Sequence, residues 1–95
     1  MTKSDFLEWM KKRNGKAGGW IVVVDGRIIN KESITIWKGG EIGIRYADGK
    51  WQVYEPQERS ADYIDIETTD ENAAFDTLAS LVEMKEEAYG GTTDK

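Results

Sequence analysis

The sequence predicts an α+β domain: an N-terminal helix, a five- to six-stranded antiparallel meander, and a C-terminal helix packed on the sheet. Three observations carry this. Asp25-Gly26 and Asp48-Gly49 each sit between apolar runs, and a two-residue type I′ turn needs the positive φ at both central positions that such pairs accommodate. Residues 42–55, IGIRYADGKWQVYE, alternate apolar and polar with the period of a half-buried strand. The two ends of the chain instead repeat apolar residues at helical spacing, and helices gathered on one face of an antiparallel sheet make an α+β fold.

Taken in order, Ser4 to Arg13 reads as the first helix. Ser4 can N-cap, Asp5 and Glu8 suit the first turn, and Lys11, Lys12 and Arg13 suit the last. Phe6, Trp9 and Met10 share its docking face, and Asn14-Gly15 offers a stop. Trp20 to Val24 and Arg27 to Asn30 form a hairpin. The unbroken Val22-Val23-Val24 run suggests a strand covered on both faces. Ile34 to Lys38 is the next strand. A three-residue loop, Lys38 to Gly40, would pair Ile36 with Ile42 and Ile34 with Ile44 and collect the isoleucines on one face. A one-residue slip would scatter them, so the longer loop is expected, with Trp37 on the outer face.

A two-residue loop at Asp48-Gly49 then pairs Ala47 with Lys50, Tyr46 with Trp51, Arg45 with Gln52, Ile44 with Val53 and Gly43 with Tyr54. Tyr46, Trp51, Ile44 and Val53 fall on the core face; Arg45, Gln52 and Tyr54 fall on the other. Pro56 should stop this strand, since it has no N–H for a ladder. Gln57 to Asp62 reads as a loop, and Tyr63 to Glu67 as a strand with Ile64 and Ile66 inward. Thr68 with Glu71 has capping-box spacing and Asp70 is an alternative cap for a helix that runs to about Ala88. Phe75, Leu78 and Val82, with Ala74 and Leu81 offset, form its buried stripe. Gly90-Gly91 ends it.

At 95 residues the chain is long enough to bury roughly 60–65% of its unfolded surface. We expect one domain over 1–91 and a frayed tail over 92–95. There is no cysteine and no histidine, which excludes a disulfide framework, thiol nucleophiles, histidine-based triads and zinc sites. No signal-peptide or membrane-length apolar run occurs, so the expected setting is the cytoplasm. Net charge is −5, unevenly spread. Between Glu55 and Glu71 there are seven acids against the single base Arg59, giving −6; between Lys3 and Lys16, five bases against two acids give +3. Such a field concerns partners rather than fold. It favours a basic protein partner and disfavours nucleic acid or an anionic membrane; solubility alone is the alternative.

Carboxylate pairs are the remaining chemistry. Asp62 lies near Asp65 in sequence, and Asp65 and Glu67 share a side of a regular strand, where they could hold Mg²⁺ or Ca²⁺ or act as an acid/base pair. A solvated strand face is the alternative, and no catalytic residue, metal or cofactor is expected. Binding is left. Trp37, Tyr54 and Tyr63 are assigned to the face opposite the isoleucines, bordered by Arg45, Glu55 and Arg59, and these residue types are enriched at hot spots. If the N-terminal helix or first hairpin covers that face, they are instead a second core layer.

The segment Gly49 to Arg59, GKWQVYEPQER, followed by a strand, an acidic cap and a helix containing Asn72-Ala73-Ala74-Phe75, resembles small immunity proteins of bacterial polymorphic toxin systems. Trp51, Val53, Tyr54, Glu58 and Arg59 match the G-x-W-x-V-Y-x-x-E-R segment of such families. Pro56-Gln57 adds one residue, and Ser60 replaces a glycine that often follows. The resemblance implies a non-enzymatic inhibitor that caps a toxin, often a basic nuclease. The expected contact set is Trp37, Arg45, Tyr54, Glu55, Glu58, Arg59, Asp62, Tyr63 and Asp65. A phage or mobile-element protein that blocks a host nucleic-acid-binding or defence protein is a second reading, and a small nucleic-acid-binding module a third.

Overall fold

In a computed structural model, which describes residues 1–17, 20–30, 40–57 and 59–89, the chain forms α1 (Lys3–Lys12), β1 (Ile21–Val24), β2 (Arg27–Ile28), β3 (Glu41–Ala47), β4 (Lys50–Gln57), β5 (Ser60–Thr68) and α2 (Glu71–Tyr89). Trp37, Glu58, the expected strand Ile34 to Lys38, most of the Lys38 to Gly40 loop and the tail lie outside the described residues. The five strands form one sheet in the order β2-β1-β3-β4-β5.

That sheet is mixed, not a pure antiparallel meander. β1 pairs antiparallel with β2 but parallel with β3, in the register Val22 with Ile42 and Val24 with Ile44. Because β3 enters on the far side of β1 from β2, β1 becomes an interior strand. Val22, Val23 and Val24 are accordingly all buried, as an unbroken apolar run in a strand with both faces covered requires. Both Asp-Gly turns hold positive φ at each central residue, 50° and 82° at Asp25-Gly26 and 54° and 77° at Asp48-Gly49. The β3–β4 register is the one the tight turn dictates: Gly43 with Tyr54, Ile44 with Val53, Arg45 with Gln52, Tyr46 with Trp51 and Ala47 with Lys50.

β4 and β5 depart from expectation. Pro56 does not end β4; it sits at an irregularity between Glu55 and Gln57 where the ladder slips, one of the few places a strand tolerates a missing N–H. The expected loop therefore shrinks to a tight connection in which Arg59 takes a φ of 73°. A second slip follows. Val53 pairs with Ile66 but Tyr54 with Ile64, so Asp65 is an extra, bulged residue. Upstream of a bulge the side-chain alternation inverts. Ile64 is 37% exposed, and only Ile66 packs against the core.

Both helices lie on the same face. Phe6 and Met10 of α1, Phe75, Leu78 and Val82 of α2, and Val22, Ile42, Ile44 and Val53 of the sheet form one buried cluster. Aromatic rings thread it: Tyr46–Trp51 at 4.9 Å, Trp51–Phe75 at 5.2 Å, Phe75–Phe6 at 5.7 Å and Phe6–Trp9 at 5.7 Å between centroids. Arg13 then caps Trp9 at 4.5 Å and forms an ion pair with Glu86, so the thread returns to α2. Thr2, not Ser4, caps α1, through a reciprocal box with Asp5; the Thr2 backbone N–H holds the Asp5 carboxyl below its ordinary pKa. At α2 the cap is Asp70, whose Oδ1 accepts from Asn72 and Ala73.

One polar side chain is nearly as buried as the core. Asn30 is 2% exposed. Its Oδ1 accepts from the Val22 N–H at 2.7 Å, and its Nδ2 donates to the carbonyls of Trp20 at 2.9 Å and Gly15 at 3.1 Å. β2 is only two residues long, so the Asn30 amide takes over where that strand leaves the edge of β1. It ties the end of α1 to the sheet by the same three bonds. Asn30→Ala leaves a buried N–H and two carbonyls without this partner, and we expect a loss of about 2–3 kcal/mol in urea unfolding; a loss below about 0.5 kcal/mol would contradict the role.

Candidate functional site

The face of the sheet away from the helices gathers part of the residue set expected from sequence. β3 presents Arg45, β4 presents Gln52 and Tyr54, and β5 presents Asp62 and Glu67. Arg45 Nη1 donates to Asp62 Oδ2 at 2.9 Å and its Nε donates to Gln52 Oε1 at 2.8 Å; Gln52 Nε2 donates to Glu67 Oε2 at 2.8 Å. The result is a side-chain chain across three strands, Asp62–Arg45–Gln52–Glu67. Gln52 stands directly opposite Arg45 and Glu67 in the adjacent strands, where cross-strand neighbours on one face sit about 5 Å apart, whereas Arg45 reaches across β4 to Asp62.

Tyr54 anchors this arrangement. Its ring lies against Gly43, where a Cβ would stand 2.6 Å from Tyr54 Cζ and Oη. The Arg45 guanidinium stacks over the same ring at 4.4 Å. Tyr54 is thus 9% exposed without α1 reaching it. Burial raises the phenol's pKa, with the Glu41 carboxylate adding to the shift and Arg45 opposing it. The anchor depends on glycine at 43.

The remaining expected residues go elsewhere. Glu55 and Asp65 face the helices: Lys85 of α2 donates to Glu55 Oε1 at 3.3 Å and lies 4.1 Å over the Trp20 ring. Asp65 Oδ2 is shut off from solvent with no hydrogen-bond partner. Burial raises the Asp65 carboxyl to about 6, a hydrogen bond with Glu55 and its negative charge add to the shift, and Lys85 opposes it. Tyr63 was expected beside Tyr54. It pairs with Glu55 instead, because the bulge at Asp65 moves it to the helix side, where it is 58% exposed. Arg59 is exposed in the turn. Asp65 and Glu67, expected as a pair, are separated by the same bulge.

Gln52, Gly43 and Lys85 complete these two clusters and were not expected as site residues; Gln52 alone carried a signal, its place between Arg45 and β5 in the predicted register. Among the described residues no three acidic side chains converge to hold a metal ion, and no helix is long and apolar enough to cross a membrane. An open groove of about 290 Å³ beside α1, bordered by Leu7, Met10, Lys11 and Ile29, contains none of the expected residues.

Gly43→Ala forces the Tyr54 ring off the sheet. We expect about 1–3 kcal/mol of destabilisation from such overpacking, with tyrosine ring NMR signals displaced at Tyr54 and at the Arg45 side chain; unchanged ring shifts would show that the contact is loose. Comparisons with family models, with curated proteins and with solved structures return no match to this chain.

Proposed function

We propose that this protein is a non-enzymatic binding module of the immunity type, which caps a basic protein partner with the helix-free face of its sheet. The observation that carries the reading is the Asp62–Arg45–Gln52–Glu67 chain over the Tyr54 anchor. Side chains already fixed before contact lose little rotamer entropy on binding. The face is also net acidic: Glu41, Asp62 and Glu67 against Arg45 and Lys50 leave −1. The Arg45 charge is offset by its ion pair with Asp62, which leaves Glu41 and Glu67 as the acids of the face outside that pair. Acids on the rim of such a face steer a basic partner and set the on-rate. The resemblance of Gly49 to Arg59 to immunity proteins points the same way, toward a toxin, often a nuclease, as that partner.

The test is an affinity capture from the native host with wild type and a Glu41→Lys, Glu67→Lys double variant, both checked for folding by circular dichroism, followed by titration with the purified partner. Neither substitution touches the Arg45–Asp62 pair. We expect wild type to recover a basic protein and the variant to bind it at least about tenfold more weakly at low salt, since two charges on the docking face change sign. Equal affinity for wild type and variant, or recovery of acidic partners alone, would overturn the reading.

A further inference from the structure

The bulge at Asp65 places a carboxyl where regular alternation would not. With Ile64 and Ile66 inward, Asp65 would point to solvent with Glu67. Instead β5 inserts one residue between the pairs Val53–Ile66 and Tyr54–Ile64, and Asp65 turns under α2. Bulges re-aim side chains, and they recur next to functional sites. Here the re-aimed group meets another acid. Glu55 comes from β4, Lys85 from α2, and Trp20 offers its ring to Lys85. Tyr63 stands opposite Glu55 in the ladder, and Glu86, the next residue of α2, is engaged by Arg13 of α1.

We propose that Asp65 and Glu55 form a single-proton site that couples protonation of the carboxyl pair to the docking of β5 under α2. With one proton between them, Asp65 donates to the Glu55 carboxylate, Glu55 Oε1 accepts from Lys85, and the trio sums to zero charge: one carboxylate against one ammonium. When the proton leaves to solvent, two carboxylates face one ammonium. The Asp65 Oδ2 then holds charge in a place with no donor, a costly state for a buried acceptor. Lys85 can answer it only by giving up part of its contact with Glu55 or Trp20. The strand that carries Asp62, Tyr63 and Glu67 therefore seats more firmly on α2 when the pair is protonated.

The sign follows from linkage. The folded-state carboxyl lies at about 6, above its ordinary value near 4, so the stability it contributes is full below the ordinary value and lost as pH rises through the folded one. The chain has no histidine, so no imidazole titrates in that window and a transition there has few other sources.

Carboxyl ¹³C titration from about pH 3 to about pH 7.5 and amide hydrogen exchange from about pH 5 to about pH 7.5, both on the full chain, test the proposal. In wild type we expect the Asp65 carboxyl to titrate in one step near 6. Protection factors at Ile64 and Ile66 should fall at least about threefold across the range while those at Ile42 and Ile44 hold. Asp65→Asn should abolish the step and flatten the β5 protection, Glu55→Gln should move the step to lower pH by removing the neighbouring negative charge, and Lys85→Met should move it to higher pH by removing the opposing cation. An Asp65 titration near the ordinary carboxylate range, or a fall in β5 protection that survives in Asp65→Asn, would overturn the proposal.

Discussion

Phe75 is the contact on which the arrangement depends. Its ring touches Trp51 of β4 on one side and Phe6 of α1 on the other, so one buried side chain joins sheet, C-terminal helix and N-terminal helix. Removing a buried phenylalanine of this kind typically costs about 3–5 kcal/mol. The geometric consequence is larger than the energetic one. Because α1 packs on α2 through Phe6 and Phe75, it cannot cover the opposite face of the sheet. Among the described residues, the Tyr54 ring is covered by Arg45 and Gly43 and not by a helix.

The sheet's two ends show how an open β structure avoids pairing with other chains. β2 contributes two residues only, and Asn30 saturates the β1 edge beyond it with a side-chain amide. β5 is long, but it slips against β4 twice and carries Asp62, Asp65 and Glu67 with no base. Short edges, bulges and charge are the usual means by which edges are blunted. In β5 the bulge has a second effect, since it turns Asp65 from the solvent side to the helix side. A device that guards an edge thereby builds the carboxyl pair.

The two clusters flank the same pair of strands. On the helix-free face β4 and β5 hold the Gln52–Glu67 link and the Asp62 contact to Arg45. On the helix side they hold Glu55, Asp65 and the bond to Lys85. In the proposed mode of action the first face meets the partner and the second governs how firmly its outer strand is seated. Acidity serves both: it attracts a basic surface outside, and it creates a proton site where two acids are forced together inside.

Local pairings are written in the chain. Asp48-Gly49 admits one tight turn, and with period-2 alternation that turn fixes every partner from Gly43–Tyr54 to Ala47–Lys50, so Arg45, Gln52 and Tyr54 were legible as one face. The helical stripe through Phe75, Leu78 and Val82 was legible for the same reason: a strong period with clear stops. Tertiary structure decided the rest. Whether β3 lies antiparallel or parallel to its neighbour depends on which side of β1 it enters, and no local pattern encodes that. The bulge at Asp65 inverted the assignments of Tyr63 and Ile64, because one inserted residue shifts a period of two by half. Asn30 and Gly43 matter only through what packs against them, an unpaired stretch of β1 and the ring of Tyr54. Periodicity states which residues share a face while the ladder is regular; where it slips, packing across the sheet chooses the face.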